Sequence, residues 1–113
     1  KNYKTGETVF EPEKEVLGTV EMSKSTYDAV TKGMRLVASE GTAKTYFEDF
    51  GVEVCCKTGS AQVGTKNANG VFVCYAPYKN PEIAVAVVIE AAGSGSSTIP
   101  VAKNILKEYF NIE

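Results

Sequence analysis

At 113 residues the chain has room for one domain, and folding would bury about 60–70% of its unfolded surface, enough for a modest core. A net charge of −2, with 23% charged and 43% hydrophobic residues, excludes a disordered chain and a basic nucleic-acid-binding face. Histidine is absent, which removes Ser-His-Asp and Cys-His catalysis and most zinc sites and leaves lysine or a carboxylate as the available base.

Residues 1–22 read as an extended, irregular lead-in, because Pro12 in Glu11-Pro12-Glu13-Lys14 argues against a helix there. The lead-in carries no signal-peptide stretch, and no apolar run approaches the about eighteen residues of a membrane span, so the chain as given reads as soluble. The remainder, 23–113, reads as one unit. Its first helix is expected over about 25–39, with Ser25 as N-cap and Asp28 in the place of a capping-box carboxylate. Tyr27, Val30, Met34, Val37 and Ala38 recur at helical spacing on one face, Gly41 ends the helix, and a short turn of helix over 42–47 precedes the Asp49-Phe50-Gly51 turn.

Three strands follow, at about 52–61, 71–76 and 83–90. The links are short, so the strands form an antiparallel meander. The run Ile83-Ala84-Val85-Ala86-Val87-Val88-Ile89 has the continuous apolar character of a strand buried on both faces. Residues 93–97, Gly-Ser-Gly-Ser-Ser, read as a flexible linker, after which Thr98 caps a last helix over about 98–110 with Pro100 in its first turn. Its stripe of Ile99, Ala102, Ile105, Leu106, Tyr109 and Phe110 suits packing on the sheet, giving an α+β fold.

Cys55 and Cys56 are adjacent, so on a strand they point to opposite faces and do not bridge each other. All three cysteines suit small buried apolar positions; a disulfide from Cys74 to either of the pair requires neighbouring strands, and the sequence leaves that open. Neither Glu53, Glu82 and Glu90 nor the glycine-serine segment has the spacing of a carboxylate pair or a phosphate loop. The chain contains no Ser-x-x-Lys and no Ser-x-Asn triplet. What remains is Lys57-Thr58-Gly59-Ser60 at the end of the first strand. It reads either as a solvated strand end or as an anion site, with a cation, two hydroxyls, a glycine that permits close approach and the Ser60 amide aimed at a developing oxyanion.

Gly41-Thr42-Ala43, Val54-Cys55-Cys56-Lys57-Thr58-Gly59-Ser60-Ala61-Gln62, Val71-Phe72-Val73-Cys74-Tyr75-Ala76-Pro77, the run from Pro81 to Glu90 and Pro100-Val101-Ala102-Lys103 together resemble the carboxy-terminal part of a class B penicillin-binding protein transpeptidase domain. The resemblance runs from about Met22 to the end and is nearest to the elongation-type, penicillin-binding protein 2-like members. It implies a partial serine transpeptidase/β-lactamase-like fold and a parent that is a peptidoglycan DD-transpeptidase and β-lactam target at the extracytoplasmic face of the bacterial membrane. Lys57 and Ser60 would then be catalytic, and Lys57, Thr58, Gly59 and Ser60 would bind the substrate carboxylate. Relatives commonly carry Ala-Gly before the lysine and threonine after the glycine, where this chain has Cys55-Cys56 and Ser60. The family's Ser-x-x-Lys nucleophile and Ser-x-Asn motif lie upstream, so the chain is expected to be an incomplete domain, inactive alone, with an uncovered sheet edge that favours self-association or strand exchange. No metal or cofactor is expected. The alternative is a non-catalytic module that holds a peptide carboxylate at the Lys57 edge or pairs through its open strand.

Overall fold

A computed structural model describes residues 2–10, 13, 15–64 and 66–113. The described part of 2–22 carries no helix or strand, and its large apolar side chains, Val9, Phe10, Val16, Leu17 and Val20 among them, lie in solvent. The expectation built on Pro12 falls outside the described residues.

Helix α1 (Lys24–Ser39) starts one residue earlier than predicted, and its N-cap is Ser23 rather than Ser25. The Ser23 hydroxyl accepts the Thr26 N–H at 3.1 Å, satisfying one of the free donors of the first turn. Asp28 does not complete a capping box; it pairs with Lys24 one turn back at 2.6 Å. At the other end the Gly41 N–H bonds to Leu36 O, and a side chain there would press on the Val37 backbone. Helix α2 (Lys44–Phe47) follows, then a turn through Gly51, whose φ of +82° is the left-handed conformation that glycine adopts without strain.

The sheet is an antiparallel meander of β1 (Cys55–Ala61), β2 (Asn69–Ala76) and β3 (Ile83–Ile89), with β2 in the centre. Strand β1 begins three residues later than predicted, because Pro77 has no N–H to extend the ladder and Glu53 O takes the Tyr78 N–H instead. Strand β2 is two residues longer at its start. Register puts Cys56 opposite Cys74 opposite Val85, and Thr58 opposite Phe72 opposite Val87. One face of the sheet therefore carries Cys56, Thr58, Ser60, Gly70, Phe72, Cys74, Ala76, Val85 and Val87.

That face holds the core. Helix α3 (Ile99–Phe110) lays Ile99, Ala102 and Leu106 against it, all fully buried, with Phe110 half-buried beside them. Ile105 and Tyr109 of the predicted stripe point to solvent, since the contact is narrower than the apolar arc of the helix. Phe72 is fully buried and stacks on Phe47 with ring centroids 6.4 Å apart, and Phe47 meets Phe50 edge to face at 5.4 Å. The opposite face carries Cys55, Lys57, Gly59, Val71, Val73, Tyr75, Ala84, Ala86 and Val88. There α1 covers only one end: Cys55 Sγ lies 3.8 Å from Thr31 O, and Met34 faces Val73, Tyr75 and Ala84 across a groove of about 310 Å³. The prediction that β3 is buried on both faces is thus corrected. Of β3 only Val87 is buried; Ala84, Ala86 and Val88 are exposed, Val88 by 65%, because no element of the described residues packs over them.

The linker prediction is corrected as well. Residues 95–98 form a 3₁₀ helix that runs directly into α3, with Gly95 and Thr98 fully or nearly fully buried. Thr98 makes no side-chain cap; its hydroxyl donates to Gly95 O at 2.7 Å. The physical reason is fit: a side chain at Gly70 would stand 2.4 Å from Ser94 O, and one at Gly95 would stand 2.4 Å from Gly59 O. Two bare α-carbons let this turn settle on the sheet.

Candidate active site

The residues at 57–60 lie on β1, an outer strand of the sheet, so alternate N–H and C=O groups along it face away from β2. Lys57 is exposed and its ammonium donates to Thr58 O at 2.7 Å, which marks that carbonyl as one facing the open edge. By the alternation of an antiparallel strand, the Ser60 backbone belongs to the same outward set. Among the described residues Lys57 makes no ion pair; the three pairs found are Lys24–Asp28, Arg35–Glu53 and Lys44–Glu48. Its charge is available to an anion.

The four predicted site residues divide between two faces. Lys57 and Gly59 lie with Cys55, whereas Thr58 and Ser60 lie with Cys56 on the core side, and the two sets meet only at the free edge. Thr58 is half-buried opposite Phe72, and among the described residues its hydroxyl has no hydrogen-bond partner. Ser60 is exposed, and its Oγ accepts the Gly95 N–H at 3.2 Å. Gly59 was expected to clear room for another molecule against its backbone. A Cβ there would meet Val71 Cβ at an ordinary 3.5 Å, whereas on the other face it is Gly95 that presses on the Gly59 backbone.

Beneath the site the strand is anchored by its cysteines. All three are buried free thiols, and Cys56 is the one across from Cys74. Burial pushes the Cys56 thiol up to about 12 and the Cys74 thiol to about 11, and it raises Cys55 as well. Such thiols pack as apolar groups and do not act as nucleophiles. On the α1 side Tyr75 lies opposite Cys55; burial raises its phenol, and its Oη has no hydrogen-bond partner among the described residues. Gly95 escaped the sequence reading because a glycine-serine run signals conformational freedom; the signal that could have found it is a buried turn's need for bare α-carbons just before a helix. No helix of the described residues is long and apolar enough to cross a membrane.

Residues 3–109 match the family described as the penicillin binding protein transpeptidase domain. Penicillin-binding protein 2A of Bacillus subtilis is 32% identical across 96% of this chain, and the peptidoglycan D,D-transpeptidase MrdA of Haemophilus influenzae is 34% identical across 75% of it. The chain spans 17% and 16% of the lengths of those relatives. The crystal structure of Pseudomonas aeruginosa PBP2 superposes with a TM-score of 0.73 at 34% identity, covering 80% of this chain and 20% of that one. Penicillin-binding protein 2B of Streptococcus pneumoniae, at 24% identity and a TM-score of 0.64 over 96% of this chain, shares the fold. An antiparallel meander flanked by helices is the fold this chain shares with these solved structures, and the chain belongs to the penicillin binding protein transpeptidase domain family.

Proposed function

We propose that this chain forms the Lys-Thr-Gly wall of a peptidoglycan DD-transpeptidase active site and is functional only together with the part of the domain that carries the nucleophile. The observation that carries the reading is the placing, along four residues of an outer strand, of two hydroxyls and a lysine that makes no ion pair among the described residues. In this reading 23–113 is the carboxy-terminal portion of the domain and 1–22 a lead-in to it. The partners are a stem peptide of peptidoglycan, or a β-lactam in its place, at the outer face of the bacterial membrane.

The chemistry follows from the groups present. A peptide ending in a carboxylate lies along β1; Lys57 supplies the balancing charge, and the Thr58 and Ser60 hydroxyls donate to the carboxylate oxygens. Bare Gly59 lets the ligand approach the strand. When a serine from the opposite wall attacks the carbonyl, the Ser60 N–H stabilises the oxyanion that forms, and the Lys57 charge supports the attacking hydroxyl and the substrate carboxylate.

A second reading is favoured by a separate observation, the exposed β3 face of Ala84, Ala86 and Val88: a non-catalytic module that binds a peptide carboxylate or pairs with another strand. One experiment separates the two. Fluorescent penicillin is added to this chain alone and to the protein containing it together with the upstream segment of the domain. The transpeptidase reading expects covalent label on the longer protein only; label on the 113 residues alone, or on neither, contradicts it.

A further inference from the structure

The turn before α3 takes no part in the reading above, yet it touches the site directly. Gly95 sits over the backbone of the Gly59–Val71 pair, on the core side of the sheet, so closely that a Cβ on it would stand 2.6 Å from Gly59 N, 2.4 Å from Gly59 O and 2.7 Å from Val71 O. None of these is a flexible side-chain end that could swing aside. The turn is fixed from behind as well, by the buried Thr98 hydroxyl on Gly95 O and by Gly70 under Ser94.

The Gly95 N–H is directed at Ser60 Oγ. A hydroxyl has one proton to give and two lone pairs to offer, and an N–H can occupy only a lone pair. With Gly95 on that lone pair, the Ser60 proton is left for an acceptor at the open edge. We infer that Gly95 is a positioning residue for this site: its N–H holds the Ser60 hydroxyl in the donating sense, and its bare α-carbon sets how far the 57–60 strand stands from the core. The inference rests on the proposed role of Ser60 as a donor to a substrate carboxylate. Gly95 itself touches no substrate.

Two measurements test it. In the 113-residue chain, hydrogen exchange of the Gly95 amide is followed in the wild type, Ser60→Ala and Ser60→Thr. Loss of the acceptor is expected to speed exchange by roughly tenfold in Ser60→Ala and not in Ser60→Thr, the scale of one hydrogen bond; equal rates in Ser60→Ala and wild type would overturn the inference whatever the protein's activity. In the longer protein, acylation by benzylpenicillin is compared with acylation by its methyl ester, which lacks the anion. Ser60→Ala and Gly95→Ala should each shrink the preference for the free acid by roughly tenfold, and the double variant should shrink it little further. Gly95→Ala slowing both compounds equally would make its role purely structural and refute positioning. A wild-type protein that no penicillin acylates would refute the transpeptidase reading instead, leaving the exchange result to decide on the Gly95 contact.

Discussion

Cys56 directly precedes Lys57, so its reactivity reports whether the strand that carries the site is held as described. In the folded chain it is fully buried and its thiol is pushed from 9.0 up to about 12. At pH 8 a thiol of pKa near 9 is roughly 10% thiolate and one near 12 roughly 0.01%, so the folded thiol should alkylate about a thousandfold more slowly even if reagent could reach it. For Cys74, at about 11, the same reasoning gives about a hundredfold. The sign of the pH effect follows. Below pH 9 both states hold the proton and the contribution to stability is intact; as pH rises from 9 towards 11–12 the unfolded thiols ionise first, and stability falls. The assay is iodoacetamide labelling read by mass spectrometry on the folded and the urea-unfolded chain, from pH 7 to 10. Labelling of Cys56 in the folded chain within tenfold of its unfolded rate would refute the packing of β1.

Three further outcomes are expected. Phe72→Ala removes a fully buried ring that stacks on Phe47 and should cost about 3–5 kcal/mol in a denaturant melt, a large share of the about 5–15 kcal/mol by which domains of this kind are stable. Ser23→Ala removes the α1 cap and should cost about 1 kcal/mol, whereas Ser25→Ala should cost little, which the same melts distinguish. With Val88 exposed and the outer edge of β3 unpaired among the described residues, sedimentation of the isolated chain should show dimers or larger species; a stable dilute monomer would contradict this.

The three strands, the two long helices and the site segment are legible because each rests on local signals: β-branched runs, helical spacing of apolar residues, and a cation-hydroxyl-glycine string at a strand end. What the sequence does not show is set by distant neighbours. Ser23 and Ser25 are equal as cap residues, and only the geometry of the first turn decides that Ser23 reaches Thr26 N. The Ile83–Ile89 run is apolar on both faces, but hydrophobicity does not say whether anything lies over Ala84, Ala86 and Val88. The segment at 93–97 has a linker's composition, and its burial depends on Gly59 and Gly70, some 25–35 residues earlier in the chain. The same distance hid the tie between Gly95 and Ser60, and with it the fact that one of the site's hydroxyls is already engaged by the protein.

The central claim is that residues 57–60 form one wall of an acyl-transfer cleft, and Lys57 tests it most directly. It is exposed and outside the core, so Lys57→Ala should leave the thermal melt unchanged. In the protein that carries this chain with its upstream segment, the rate of acylation by benzylpenicillin should fall by roughly ten- to a hundredfold or more, the scale of a hydrogen bond to a charged group. An unchanged acylation rate in a folded Lys57→Ala protein would contradict the account.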